Sequence, residues 1–337
     1  MNSNTYIVIT SINAPNKAMK MFADGAQKYG AKFLVVGDTK SPQDFWLENS
    51  EYFSVDDQIN EFDSMGRKCP TGHYARKNIG YLIAIKRGAK VIIDTDDDNL
   101  PYDSFWETRS IQTKARIISK KGWVNAYRFF TKEKIWPRGL PLDEIAMSDE
   151  SDEPLVRETV FAPIKQGLAN ENPDVDALFR LTHDLPLNFS DECDLALMPG
   201  AWCPFNSQNT TWFQEAFPLL YLPAYCSFRM TDIWRSFVAQ RIAAENDWPI
   251  TFHKSTVWQE RNDHDLMKDF AEEVPGYLHN SAIRDALEST QLKKGESHLV
   301  HNLLKCYATL VDNKWIGENE LQLLEQWTDE LQSISGS

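Results

Sequence analysis

The sequence predicts an α/β chain whose parallel sheet is covered on both faces, and three observations carry that expectation. Short β-branched runs recur at residues 6–10 (YIVIT), 33–36 (FLVV) and 91–93 (VII). Helix-like stretches separate them. Each run leads into polar residues, beginning with Ser11 after the first, Asp38 after the second and Asp94 after the third. Sheets of this kind gather ligands at the carboxyl ends of their strands, which makes Ser11 and Asp38 candidate ligand contacts.

Taken in order, the first strand is followed by a polar loop at residues 11–16 and a helix at residues 17–29. Residues 73–87 (HYARKNIGYLIAIKR) set Ala75, Ile79, Leu82, Ile83 and Lys86 on one helical stripe, and Gly88 is a natural residue to end that helix. The third strand then runs into Asp94-Thr95-Asp96-Asp97-Asp98-Asn99. Residues 143–153 (DEIAMSDESDE) hold six acids and no base, and read as a solvated surface loop. A further helix is expected at residues 232–246 and a strand at residues 250–253. After Pro275 the pattern turns helical to the end, with Leu299, Leu303, Leu304, Leu310, Leu321, Leu324 and Trp327 at helix spacing. The organisation expected is therefore a sheet domain over residues 1–275 and a helical C-terminal appendage over residues 276–337.

Composition narrows the function classes. With 42% hydrophobic residues, 25% charged residues and 11 tryptophans, the 337-residue chain is expected to fold throughout. Forty-nine acidic residues against 35 basic ones give a net charge of −14, which opposes binding to phosphate backbones and argues against nucleic acid as a partner. No basic leader region and no long apolar window are visible, so neither a signal nor a membrane span is expected. Five cysteines without a CxxC pair fit reduced thiols, and the chain reads as cytoplasmic.

The most informative feature is the aspartate cluster. Four carboxylates within five residues at a strand end repel one another, and a divalent cation would relieve that cost. If the segment stays extended, Asp94, Asp96 and Asp98 share one side while Asp97 faces elsewhere. Hard oxygen ligands suit Mg²⁺ or Mn²⁺. An EF-hand loop is excluded because Asn99 and Phe105 stand where glycine and glutamate are required. A haloacid-dehalogenase-type phosphatase places its aspartates after the first strand and a threonine where Asp98 stands. P-loop, zincin and hydrolase-elbow signatures do not occur in the sequence. A DxD at the end of a buried strand, behind a loop that can cradle a nucleotide, is the arrangement of nucleotide-sugar transferases, where a metal bridges the diphosphate.

Longer strings carry a resemblance. The string ARKNIGYL at residues 75–82, WPRGLPL at 136–142, QGLAN at 166–170, PDVD at 173–176 and FRMTDIWR at 228–235 resemble the STELLO-type glycosyltransferase domain across about residues 5–265. A more distant similarity is to the reversibly glycosylated polypeptides, which include UDP-arabinopyranose mutases. The resemblance implies a GT-A, Rossmann-like fold, a nucleotide-diphosphate-sugar donor (a UDP-sugar foremost), a Mn²⁺ or Mg²⁺ ion, and hexosyl or pentosyl transfer to a glycan or small-molecule acceptor. A nucleotide-sugar mutase and a scaffold without turnover are the alternatives. STELLO proteins are membrane-anchored; no anchor is visible here, so their Golgi role is not carried over.

Roles follow for single residues. Asp96 and Asp98 are the expected metal ligands, with His264 as a third that lies later than the position the family leads one to expect. Lys77, Asn78 and Tyr81 on the helix before the cluster are expected donor contacts, with Asp94, Asp97 and Arg229. Arg138 reads as a two-point phosphate ligand or a structural salt bridge. Asp232 reads as an acceptor-activating base or as a helix cap.

Overall fold

The computed structural model describes residues 1–146, 156–260 and 265–336. Most of the acidic segment at residues 143–153, and His264, lie outside them. The chain opens with β1 (Thr5–Thr10), α1 (Lys17–Tyr29), β2 (Lys32–Val36) and β3 (Glu51–Phe53). Next come α2 (Val55–Glu61), α3 (Asp63–Lys68), α4 (Lys77–Lys86), β4 (Val91–Thr95) and β5 (Asn99–Pro101). The middle of the chain supplies β6 (Gln112–Ile118), β7 (Gly122–Trp123), β8 (Arg157–Phe161), β9 (Ile164–Asn170), α5 (Ala177–Thr182), β10 (Leu195–Leu197), β11 (Ala201–Trp202) and β12 (Asn209–Phe213). It ends with α6 (Thr231–Glu245), β13 (Ile250–Gln259), α7 (Leu266–Ser289), α8 (Leu299–Asp312) and α9 (Asn319–Gly336).

Among the described residues the main sheet runs β3-β2-β1-β4-β12-β9-β13-β10-β6-β8. β3, β2, β1 and β4 are parallel, as expected. The sheet is mixed beyond them, because β12 runs antiparallel to both β4 and β9. Apolar patterning does not reveal β12 and β9: their buried Asn209, Thr210, Thr211, Lys165 and Gln166 are polar, and several are bonded to neighbouring strands, as in Thr210 Oγ1 to Gln166 Oε1 at 2.9 Å.

One face of the sheet is covered by α1 and the segment around Phe105 and Trp106, which share a core with Ile7, Ile9, Ile93 and Val257. The other face carries α4 and α6. Gly80 lets α4 approach closely, since a side chain there would meet Val36 Cγ2 at 2.6 Å and Val8 Cγ1 at 2.7 Å. That contact holds the start of α4 over the carboxyl end of β4. α7 runs across residue 275, and Leu303, Leu310, Leu324 and Trp327 of α8 and α9 lie in the same core as Tyr81 and Phe237. The C-terminal helices therefore share one core with the sheet. Among the described residues, no helix is long and apolar enough to cross a membrane.

Trp327 is fully buried and its indole N–H donates to Pro218 O at 3.1 Å. Trp327→Ala is expected to destabilise the whole chain by about 3–5 kcal/mol. A single denaturant transition shifted to lower urea checks this; an unchanged midpoint would show that α9 contributes nothing to the common core.

Candidate active cleft

The cleft is built upward from a buried anion. Asp94, the fourth residue of β4, is fully buried and lies between Lys77 Nζ at 2.9 Å and Arg235 Nη1 at 2.8 Å. Lys77 also donates to Thr95 O at 2.8 Å and to Asp96 Oδ1 at 3.2 Å. Burial works against its charge, but the Asp94 and Asp96 carboxylates raise its pKa and keep it an ammonium. Arg235 Nη2 continues to Asn206 O at 3.1 Å.

Beyond Thr95 the chain leaves the extended conformation and turns, so the expected alternation of Asp94, Asp96 and Asp98 does not hold. Asp94 points into the interior, whereas Asp96, Asp97 and Asp98 all line a cavity. Asp97 Oδ2 accepts from Ser11 Oγ and from Asn13 Nδ2 at 3.0 Å, and its carbonyl accepts from Asn16 Nδ2 at 2.7 Å. Asp98 Oδ1 accepts from Gln259 Nε2 at 3.0 Å. Burial and the nearby Asp98 and Asp94 carboxylates push the Asp96 carboxyl up to about 7, against the pull of Lys77.

Two adjoining chambers form the cleft and share Thr10, Tyr74, Asp97 and Phe228. The smaller, about 270 Å³, faces the acidic turn with Arg138, Asp174, Arg229 and Asp232. The larger, about 520 Å³, sits at the ends of β1 and β2 and is lined by Ser11, Asp38, Lys40, His73 and Arg76. Asp38 Oδ2 accepts from the His73 backbone N–H at 3.1 Å. Burial lowers the His73 imidazole to about 4, so it is neutral. His73 stacks on Tyr74, and Phe228 meets both rings edge-on.

The wall of the smaller chamber is a network of paired charges. Arg138 grips Asp174 through Nε and Nη2, both at 2.8 Å, and Asp232 through Nη1 at 3.1 Å and Nη2 at 2.9 Å. Asp232 also accepts from Tyr74 Oη at 3.2 Å and from the Ser207 N–H at 3.1 Å. Burial opposes its charge, but Arg138 holds the carboxyl far below the ordinary range. Arg229 donates to Glu273 through Nε and Nη2.

Of the residues expected from sequence, Ser11, Asp38, Asp96, Asp97, Asp98, Arg138, Arg229 and Asp232 line the cleft. Four others lie beneath it. Lys77 and Asp94 form the buried ion pair, Tyr81 is fully buried with its hydroxyl 3.5 Å from Arg235 Nη1, and Asn78 binds the Leu222 backbone in both directions at 2.8 Å. None of the four lines the cleft, and Lys77 and Asp94 support the acidic turn from beneath. Arg138 has its fork filled by carboxylates, so the salt-bridge reading holds. Asp232 is not the N-cap of α6, which is Met230; it lies in the first turn, where its Oδ1 accepts from the Ile233 N–H at 3.1 Å. Its carboxylate is engaged by Arg138, by Tyr74 Oη and by the Ser207 N–H. Sequence reasoning missed Tyr74, His73 and Ser207, which carry no pattern of their own, and Asp174, which stands in the PDVD string. Among the described residues, no three His, Cys, Asp or Glu side chains gather closely enough to hold a metal ion by themselves.

The raised Asp96 pKa makes a signed prediction. Between the ordinary value of 3.8 and about 7, the folded chain holds a proton that the unfolded chain has lost. Its contribution to stability is thus present at low pH and is lost as pH rises through that window. In metal-free buffer, Asp96→Asn is expected to gain stability relative to the parent chain as pH rises; urea midpoints that keep a constant difference would refute the raised carboxyl.

The chain is similar to known proteins. A family model described as STELLO glycosyltransferases matches residues 229–336, from Arg229 on the cleft wall to the end of α9. The probable glycosyltransferase STELLO1 of Arabidopsis thaliana is 30% identical over 262 residues, 71% of this chain and 33% of that protein. STELLO2 of the same plant is 28% identical over 275 residues, 75% of this chain and 35% of that protein. The chain thus spans about a third of the length of these relatives. Among solved structures, the glucosyl-3-phosphoglycerate synthase of M. tuberculosis aligns with a TM-score of 0.41 and 9% identity, over 82% of this chain and 80% of that one. The matched strings line and support a single cleft at the carboxyl ends of an α/β sheet, and the chain belongs to the STELLO-type glycosyltransferase family.

Proposed function

We propose that the cleft transfers a sugar from a nucleoside-diphosphate donor, most favourably a UDP-sugar, to a glycan or small-molecule acceptor. The observation that carries this reading is the acidic turn, Asp96 to Asp98, facing a guanidinium-bearing wall across one chamber. The second chamber, at the ends of β1 and β2, suits the nucleoside, with Asp38 and the aromatic group of His73, Tyr74 and Phe228 as its polar and stacking contacts.

The turn suits Mn²⁺ or Mg²⁺. Its carboxylates are hard donors gathered in one turn, and a divalent cation would relieve their mutual repulsion. A divalent ion held by Asp96 and Asp98, its other positions left for phosphate and water, would neutralise the departing diphosphate. Lys77 fixes the turn from below. Arg229, whose Nη1 has no partner among the described residues, adds positive charge at the chamber wall.

The paired wall favours retention of configuration at the anomeric carbon. Asp174 and Asp232 are both engaged by Arg138, and an inverting reaction needs a carboxylate ready to accept the acceptor's proton. In the retaining route the acceptor oxygen bonds the anomeric carbon as the phosphate bond breaks on the same face, and its proton passes to the leaving phosphate oxygen.

Uridine diphosphate with Mn²⁺ is expected to raise the melting temperature of the chain, and either EDTA or Asp96→Asn should remove the rise. Nucleotide affinity that survives both changes would sink the metal assignment. With donor sugars in hand, nuclear magnetic resonance of the product is expected to show retained anomeric configuration, and Asp232→Asn is expected to weaken folding and turnover together. An inverted product, or an Asp232→Asn chain that is fully stable but about a hundredfold slower, would restore Asp232 as the base. Isomerised donor without transfer would identify a mutase.

A further inference from the structure

Polar donors without partners cluster on the sheet at the start of β9, the end away from the cleft. Lys165 and Thr251 are directly paired across β9 and β13. Lys165 is 6% exposed and makes no hydrogen bond or ion pair among the described residues. Thr251 is fully buried, and its hydroxyl has no partner. Arg109 donates Nη1 to Glu107 O at 3.1 Å, while its buried Nε and Nη2 bind nothing. The Arg109 guanidinium lies 5.5 Å over the Phe105 ring, and Phe105 packs in the core with Ala169 of β9 and Val257 of β13, which sets Arg109 above these two strands.

Acids stand near both cations, Glu107 beside Arg109 and Asp194 beside Lys165. Asp194 accepts from Thr113 Oγ1 at 2.6 Å. His253 lies over Gly167, where an added Cβ would meet its Cε1 at 2.6 Å, and its Nδ1 is 2.9 Å from Lys254 O. Burial and the Arg109 charge lower His253 to about 4, so it is neutral. Burial, opposed by Asp194 and reinforced by Arg109, lowers Lys165 to about 8. Arg109 Nε and Nη2 and the Thr251 hydroxyl are buried donors that no group among the described residues accepts from, beside the Lys165 ammonium. The Nε and Nη2 edge of arginine is the one that grips two oxygens of a carboxylate or phosphate.

We propose that Arg109, Lys165 and Thr251 form a binding site for a small oxyanion, a phosphate or a carboxylate, separate from the cleft. This inference stands whether or not the cleft transfers sugars. Thermal unfolding of the full chain in inorganic phosphate and in acetate, each against chloride at equal ionic strength, tests it. At least one oxyanion is expected to raise the melting temperature of the parent chain and of Asp96→Asn, but neither Arg109→Gln nor Thr251→Val should respond. It should also slow acetylation of Lys165 by about tenfold, because a paired ammonium gives up its proton less readily. A response to phosphate alone identifies a phosphoryl ligand, and an equal response to acetate a carboxylate. No rise with either anion, or a rise that persists in both Arg109→Gln and Thr251→Val, would leave these donors to water and overturn the proposal.

Discussion

Asp94 is an anion sealed in the sheet, and the cleft depends on how it is neutralised. A buried carboxylate survives only with opposite charge and hydrogen bonds in place. Lys77 comes from α4 and Arg235 from α6, so one side chain on β4 fixes both helices to the sheet. The same Lys77 ammonium binds the Thr95 carbonyl and Asp96, which turns a neutralising contact into a template for the acidic turn. Three donors of one ammonium are thereby directed at three consecutive residues of β4 and its exit.

A second group of charges fixes the opposite wall. Arg138 joins Asp174 from the segment after β9 to Asp232 on α6. Glu273 on α7 takes Arg229 and also accepts from the Ala177 N–H at 2.7 Å. These pairs are largely desolvated, and removal of one partner would strand a buried charge, which costs far more than loss of a surface pair. Rigid walls on both sides suit the proposed reaction, in which a diphosphate would be held between fixed charges as its bond breaks.

Much of this was legible in the sequence, and the failures have physical causes. The apolar runs at β1, β2 and β4 read correctly because parallel strands buried on both faces need continuous hydrophobicity. β9 and β12 escape detection because several of their interior residues are polar and bond across strands, as Thr210 does with Gln166, and no hydrophobic period marks that arrangement. The acidic turn was found, but alternation failed one residue past β4, where Asn99 N bonds Asp96 O at 3.4 Å and the chain reverses. Lys77, Asn78 and Tyr81 are all buried, because Lys77 meets Asp94, Tyr81 meets Arg235 and Asn78 meets Leu222, while α9 packs on the same helix. A helix more than two hundred residues downstream leaves no trace in the local pattern.

That distant helix connects the two walls. Glu320 on α9 is fully buried; its Oε2 accepts from the Ala224 and Tyr225 N–H groups at 3.0 and 2.7 Å, and Tyr221 Oη donates to its Oε1. On the other side, Asn78 holds Leu222 through both its backbone groups. The segment from Tyr221 to Tyr225 is therefore fastened between α4 and α9, and it leads directly into Phe228, Arg229 and Asp232. Asn78 adjoins Lys77, so the helix that sets the acidic turn also sets the start of the segment bearing the basic wall. Distance across the cleft is then a property of α4 and of the C-terminal helix that braces it, and loops free to drift would not preserve it. This explains why helices far from the sheet's ligand-binding ends belong to the same structural unit as the cleft.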